Sequence, residues 1–380
     1  MPITLQGFNN VAWARTLNTT LADYLREEEK AILRNYQMLA LLESQGRTVM
    51  NVGGEGFVWE VQFDVHAVEG NTGETIRQFN RRNLWKNANL DYRGYQVTDA
   101  ISNRELLANR GQAAVVNVFN RFMERLTESM KLGLATEPYV DGNASGNETS
   151  WHGLESMFSV NGTLNVSDGT QRSTNAADLV GYPNDTYAGI STALGTYGGD
   201  NETGAVWPDG IADPSFDFWT PLIVQYVSTA FNGSADTWAA QGDEAMRYAI
   251  IHSQRNTLAD GQPTNVFLTR NLYRQFLDLI DSKEQINVMR NEATGLVALG
   301  FKNVVNFDGV DVSWEAAIPT GVGYGLNIKA IELRSMHPQL FVPEGPEYDL
   351  VQQQHLAVVS TLSNLRFRSP RGFFKLDDFA

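Results

Sequence analysis

Apolar residues recur at steps of mostly three and four between Leu21 and Leu42 (Leu21, Leu25, Ile32, Tyr36, Leu39, Leu42), the period of one helix face, and Gly46 is placed to end that helix. The period changes after the cluster Gly53-Gly54-Glu55-Gly56. From there Phe57, Trp59, Val61, Phe63 and Val65 alternate with mostly polar neighbours, which predicts a strand. The turn Gly70-Asn71-Thr72-Gly73 sends the chain back through Ile76 and Phe79, so residues 56–85 read as a long two-stranded hairpin. A hairpin alone is marginal in water and needs a further surface to lie on. Its return limb is basic, with Arg77, Arg81, Arg82 and Lys86 against Glu74. That limb suits either a nucleic-acid patch or a charged arm on an acidic neighbour.

Ser102-Asn103-Arg104-Glu105 is a capping box, in which the serine and glutamate side chains satisfy each other's free amides. Behind it Leu106, Ala113, Val116, Phe119, Met123, Leu126, Met130 and Leu134 share one face, and Gly133 and Pro138 close the element. At 1.5 Å per residue, ~30 helical residues make a spine of about 45 Å. Phe119, Met123 and Leu126 are its expected core residues. From Tyr139 to Trp219 the periodicity dissolves into a loop-rich stretch with eleven acidic residues and one basic residue, Arg172, expected to be a solvated acidic surface.

Regular alternation returns over residues 243–345. A helix is expected from Asp243 to Leu258, a buried strand at Asn265–Leu268, and a helix capped by Thr269. Asp308-Gly309 between two apolar runs signals a tight hairpin, with strands following at Gly325–Ile328 and Ala330–Leu333. A last strand, Gln354–Phe367, is expected to bury Leu356, Val358 and Leu362 and then, after a slip, Leu365 and Phe367.

Composition narrows the chemistry. The 380 residues are 42% hydrophobic, which excludes a disordered chain. A net charge of −15 argues against a general nucleic-acid binder and favours the acidic-neighbour reading of the basic limb. The absence of cysteine removes disulfides, thiolate metal sites and thiol nucleophiles. The start of the chain lacks the pattern of a secretory signal, and no apolar run approaches the ~20 residues that span a bilayer, so no membrane role is expected. Asp141-Gly142-Asn143-Ala144-Ser145-Gly146 copies half of a calcium loop, but His152 stands where the bidentate Glu belongs. No phosphate loop, dinucleotide fingerprint or nucleophile elbow occurs, and the five histidines sit in no triad spacing. The expectation is no catalytic residue, no metal and no cofactor. Trp207, Trp219 and Trp238 leave one enzymatic alternative open, a carbohydrate-binding or hydrolytic protein that uses them as sugar platforms.

The order of segments resembles the major capsid proteins of tailed double-stranded DNA phages, the Hong Kong 97 fold. The local likenesses are Val97-Thr98-Asp99-Ala100-Ile101-Ser102, Asn265-Val266-Phe267-Leu268-Thr269, Gly309-Val310-Asp311-Val312-Ser313-Trp314 and the run from Ile318 to Asn327. The resemblance implies an α+β chain with an N-terminal arm (1–50), an extended hairpin loop (51–96) and a peripheral domain with the spine helix (97–149). An axial domain with an acidic insertion (150–340) and C-terminal strands returning to the peripheral domain (341–380) complete it. The implied role is self-assembly, as hexamers and pentamers, into an icosahedral head that encloses DNA without sequence-specific binding. Subunits would be made in the host cytoplasm and end in the virion. Phe57, Trp59, Phe63, Arg77, Arg81, Arg82 and Lys86 would then be intersubunit contacts of the hairpin. The implied partners are a separate scaffolding protein, a portal and decoration proteins. Covalent cross-linking through a hairpin-tip lysine is not expected, since none lies near residues 70–74. The same fold also builds bacterial protein-filled compartments, the second alternative.

Overall fold

The computed structural model describes residues 36–62, 73, 85–104, 118–159, 180–193, 219–254, 261–282 and 304–378. In chain order it begins with helix α1 (Gln37–Ser44) and strands β1 (Thr48–Val49), β2 (Gly56–Gln62), β3 (Trp85–Asp91) and β4 (Arg93–Ser102). Helices α2 (Val118–Leu134) and α3 (Glu155–Phe158) follow, then short strands β5 (Val180–Gly181), β6 (Thr186–Tyr187) and β7 (Ile190–Ser191). The next elements are β8 (Leu222–Gln225), α4 (Trp238–Ser253), β9 (Asn265–Leu268) and α5 (Arg270–Ser282). The remaining strands are β10 (Val304–Phe307), β11 (Val310–Trp314), β12 (Gly323–Leu326), β13 (Ile331–Ser335), β14 (Val342–Asp349), β15 (Gln354–Phe367) and β16 (Phe374–Asp377).

Helix α1 stops where its sequence says it should. Gly46 has φ +65°, its amide bonds the carbonyl of Glu43, and the Arg47 amide reaches back to Leu42 at 2.8 Å. This paired closure consumes carbonyls the helix leaves free, and glycine adopts that φ without steric cost. Met38, Leu41 and Leu42 are buried, so α1 is seated in the body of the protein. Strand β1 continues from it, parallel to β13.

One sheet runs β1-β13-β15-β14, with β4 lying along the other edge of β15. The ten-pair register from Gln354↔Ser102 to Ser363↔Arg93 makes β4 and β15 its long axis. Ala357, Val359, Thr361, Ser363, Leu365 and Phe367 form one unbroken buried face. The expected burial of Leu356, Val358 and Leu362 is therefore wrong, and there is no slip. Both faces of β15 carry apolar residues, so alternation alone gives no phase. What decides it is α2, which lies across β4 and β15 and shares one core with Ala357, Val359 and Leu365.

In α2 the buried row is Phe122, Leu126, Met130 and Leu134, at steps of four. Leu126 takes its expected place, Met123 is half-buried beside the row, and the side chain of Phe119 lies outside the described residues. The capping box lies only partly within them: Asn103 and Arg104 are helical directly after β4. Phe122→Ala should lower stability by about 3–5 kcal/mol, the lost transfer energy plus a cavity. Denaturant unfolding of the unassembled subunit checks this, and a loss near ~1 kcal/mol would place that face in solvent.

The second sheet has seven strands in the order β10-β11-β9-β12-β16-β8-β5. Strand β9, buried at all four positions, lies inside the sheet, parallel to β11 and antiparallel to the central strand β12. The β10–β11 hairpin turns on Asp308 (φ +49°) and Gly309 (φ +84°), the two positive angles that match the twist of its strands. Helices α4 and α5 cover this sheet with Trp238, Ala245, Met246, Leu272 and Phe276. Helix α4 starts at Trp238, earlier than expected, and is described to Ser253. The Thr269 hydroxyl donates to the carbonyls of Val322 (2.7 Å) and Pro319 (2.9 Å), tying the end of β9 to the approach of β12.

The stretch after α2 overturns another expectation. Tyr139, Trp151, Leu154, Met157 and Phe158 are buried, so Tyr139 and residues 151–158 are core, whereas Asn143, Ala144, Ser145, Gly146, Glu148 and Thr149 between them are exposed as expected. Gly153 permits the fold there, because a Cβ on it would stand 2.6 Å from the carbonyl oxygens of Glu137 and Val140.

Candidate subunit interface

Strands β2 and β3 form a two-stranded ribbon in register from Gly56↔Asp91 to Gln62↔Trp85. Its inner face carries Phe57, Trp59 and Val61 with Ala88 and Leu90, and this face meets the protein's own body. Phe57 is buried beside Trp59 and the edge of Tyr92, with the Arg334 guanidinium 5.6 Å from its ring centre. Trp59 donates from Nε1 to the Arg368 carbonyl (3.3 Å) and lies under the Arg366 guanidinium. The expectation that these aromatics meet another subunit is corrected: at its base the ribbon is docked on its own chain. The partners come from β13, β15 and the turn after β15, about 300 positions away in sequence, and no local pattern announces them. Trp59→Asp should accordingly destabilise the isolated subunit by about 2 kcal/mol or more, through lost burial of the ring. Thermal unfolding before any assembly measures this, and an unchanged midpoint would mean that the ribbon does not rest there.

The outer face is the one left uncovered. It presents Val58 (59% exposed), Glu60 and Gln62 opposite Asn89, Asn87 and Trp85 (51% exposed). Lys86 is exposed on β3, opposite Val61, whereas Phe63, Arg77, Arg81 and Arg82 lie outside the described residues. On the β4–β15 sheet the outer face shows Leu356 beside Glu347 of β14, and Leu362 beside Gly94 of β4. The turn joining β14 to β15 holds Leu350 (81% exposed) and Val351 (90% exposed), with Tyr348 against His355 beside it. Strand β4 pairs only with β15 among the described residues, so ten residues of strand edge face away from the sheet. Long strand edges left open are features that soluble monomers suppress. Trp85, Leu350 and Val351 were not singled out from the sequence; two adjacent apolar residues in an otherwise polar turn were the available signal.

No group of three or more potential metal ligands occurs among the described residues. The half calcium loop is wired to its own backbone. Asp141 Oδ1 accepts the Asn143 amide, Asn147 donates to the Asp141 carbonyl, and Asn143 donates to Thr186. His152, in the place of the last ligand, is buried with Nδ1 2.9 Å from the Asn364 side chain. Burial and then the nearby Arg93 push its pKa down to about 4, so it is neutral at physiological pH. A buried network joins Tyr324, whose hydroxyl donates to Glu155, to Lys375, which bridges Glu155 (2.8 Å) and Asp377 (3.2 Å). One lysine ammonium serves both carboxylates and ties α3 to the seven-stranded sheet. Trp219 and Trp238 are core residues, the latter bonded through Nε1 to the Leu272 carbonyl, so neither is a sugar platform. Trp207 lies outside the described residues.

No family model matches the chain, and no curated protein matches its sequence. Solved structures match it over nearly the whole length. The capsid asymmetric unit of cyanophage A-1(L) aligns at 15% identity, covering 94% of this chain and 97% of the other, with a TM-score of 0.61. The capsid of a native GTA particle aligns at 11% identity over 95% and 96% of the two chains, with a TM-score of 0.54. The capsid of cyanophage P-SCSP1u aligns at 12% identity over 95% and 93%, with a TM-score of 0.50. With its spine helix, docked ribbon and two sheets, the chain has the α+β Hong Kong 97 fold of tailed-phage capsid proteins.

Proposed function

We propose that this protein is a major capsid protein, a structural and non-enzymatic subunit that assembles into the icosahedral head of a tailed phage around double-stranded DNA. The observation that carries this reading is the uncovered outer face of the ribbon and sheet, on a chain that aligns with capsid structures over nearly its whole length. A second copy of the chain is the occupant such surfaces require. In this reading the β4–β15 sheet with α2 is the peripheral domain and the seven-stranded sheet with α4 and α5 is the axial domain. The ribbon is the root of an extended loop that reaches a neighbour in hexamers and pentamers. Arg77, Arg81, Arg82 and Lys86 would set register there, because complementary charge steers and aligns more than it binds. A scaffolding protein, a portal and decoration proteins are the further partners of such a shell. With a net charge of −15, the subunit encloses DNA without neutralising it.

Electron microscopy of the purified chain tests the reading. Closed shells are expected, weakened by salt through screening of the register contacts, and abolished or malformed when Arg81 and Arg82 are both changed to Glu. Each exposed contact contributes only ~1 kcal/mol, but a shell repeats it in every subunit. A stable monomer under all assembly conditions, or tight salt-dependent DNA binding that the double substitution removes while shells persist, would overturn it.

A further inference from the structure

Helix α1 begins without the residues that normally hold a helix start. Tyr36, at the cap position, makes no side-chain cap bond, and the first turn has no acidic residue. The missing group comes from the far end of β11. Glu315 Oε2 accepts the Met38 amide at 3.1 Å, and Ser313 Oγ donates to Gln37 Oε1 at 2.6 Å. Both contacts are buried and join positions more than 270 residues apart in sequence.

Glu315 is 2% exposed, and its second oxygen, Oε1, makes no hydrogen bond. The groups facing it are few. From α1 they are the first amides and the neutral Gln37; from β11, Ser313; from the turn Glu137–Tyr139, the Tyr139 hydroxyl, which lies close but outside hydrogen-bond geometry. Burial holds that hydroxyl protonated. Behind Tyr139 stands Tyr324 of β12, committed to Glu155, and the Lys375 cation of that layer is engaged by Glu155 and Asp377. No cation compensates Glu315 among the described residues.

We propose that Glu315 is a pH-sensitive latch for helix α1, closed most firmly when its carboxyl is protonated and loosened when that carboxyl ionises. Two effects compete. The helix amides favour the carboxylate, but loss of water outweighs them and lifts the pKa from 4.5 to about 7. The docked helix therefore holds its proton more tightly than an opened one, whose Glu315 regains solvent. Its stability is complete below pH 4.5, declines as pH rises through about 7, and levels off above that. Full solvation in the open state would raise the opening constant by up to roughly 300-fold across that interval.

Amide hydrogen exchange of residues 37–47, followed by mass spectrometry in the full-length subunit at pH 5 and pH 8, tests the latch. After correction for intrinsic exchange, opening should rise at least tenfold in the parent protein, while the β9 peptide stays unchanged. Glu315→Gln keeps an acceptor for Met38 without a charge, and should abolish the rise. Ser313→Ala removes the neighbouring contact, and should speed opening at both pH values while leaving the rise intact. A parent helix that opens equally at both pH values, a rise that survives Glu315→Gln, or a rise that vanishes in Ser313→Ala would each overturn the proposal.

Discussion

Gly325→Val should cost the isolated subunit about 3 kcal/mol, the upper end of what overpacking a core imposes. Gly325 of β12 stands opposite Phe374 of β16 in the middle of the seven-stranded sheet. A Cβ there would lie 2.0–2.4 Å from three ring carbons of Phe374, whose side chain is fully buried. The ring has no free volume to move into, because β12 lies between β9 and β16 and the core of α4 and α5 fills the space above. Either the strands part or the ring leaves its rotamer. Gly133→Ala in α2 is the contrasting substitution: nothing stands within 4 Å of its Cβ, and it should stabilise by up to ~1 kcal/mol. Denaturant midpoints measure both. Equal, small effects at the two sites would mean that the close approach at Gly325 does not exist in solution.

Shell formation should be lost altogether when Leu350 and Val351 are both changed to Asp, with the subunit as stable as before within ~0.5 kcal/mol. At 81% and 90% exposed they contribute almost nothing to the subunit's own core. If the turn seats against a neighbour, each copy gains two buried charges without partners, a cost of several kcal/mol per contact. Multiplied around a closed particle, that exceeds any plausible margin of assembly. Unaltered circular dichroism and melting with no particles by microscopy is the expected pair of results. Particles at parental yield would show that the turn points away from every neighbour.

The local elements were legible because their causes are local. The stop at Gly46, the Asp308-Gly309 hairpin and the β9 run depend on backbone angles and on alternation within a few residues. The order of segments pointed to the capsid fold for the same reason. The candidate interface was only half legible. Alternation put Phe57, Trp59 and Val61 on one face of a strand, correctly, but could not say what that face meets. It meets Arg334, Arg366 and the Arg368 carbonyl, and so it is the opposite face, with Val58 and Trp85, that remains for a partner.

Sequence by itself determined where α1 stops, where the β10–β11 hairpin turns, which ribbon residues share a face, and that the chain is acidic and without thiol chemistry. Which face turns inward was settled only in three dimensions. On β15 both faces are apolar enough to bury, and the helix α2 laid across the sheet chose Ala357, Val359 and Ser363 over Leu356 and Leu362. At residues 151–158 a stretch read as surface became core, with Gly142 and Gly153 lying close against other backbone. Glu315 became the cap of a helix 277 positions earlier because β11 ends beneath it. In each case the deciding partner is remote along the chain, and periodicity, which compares a residue only with its neighbours, carries no information about it.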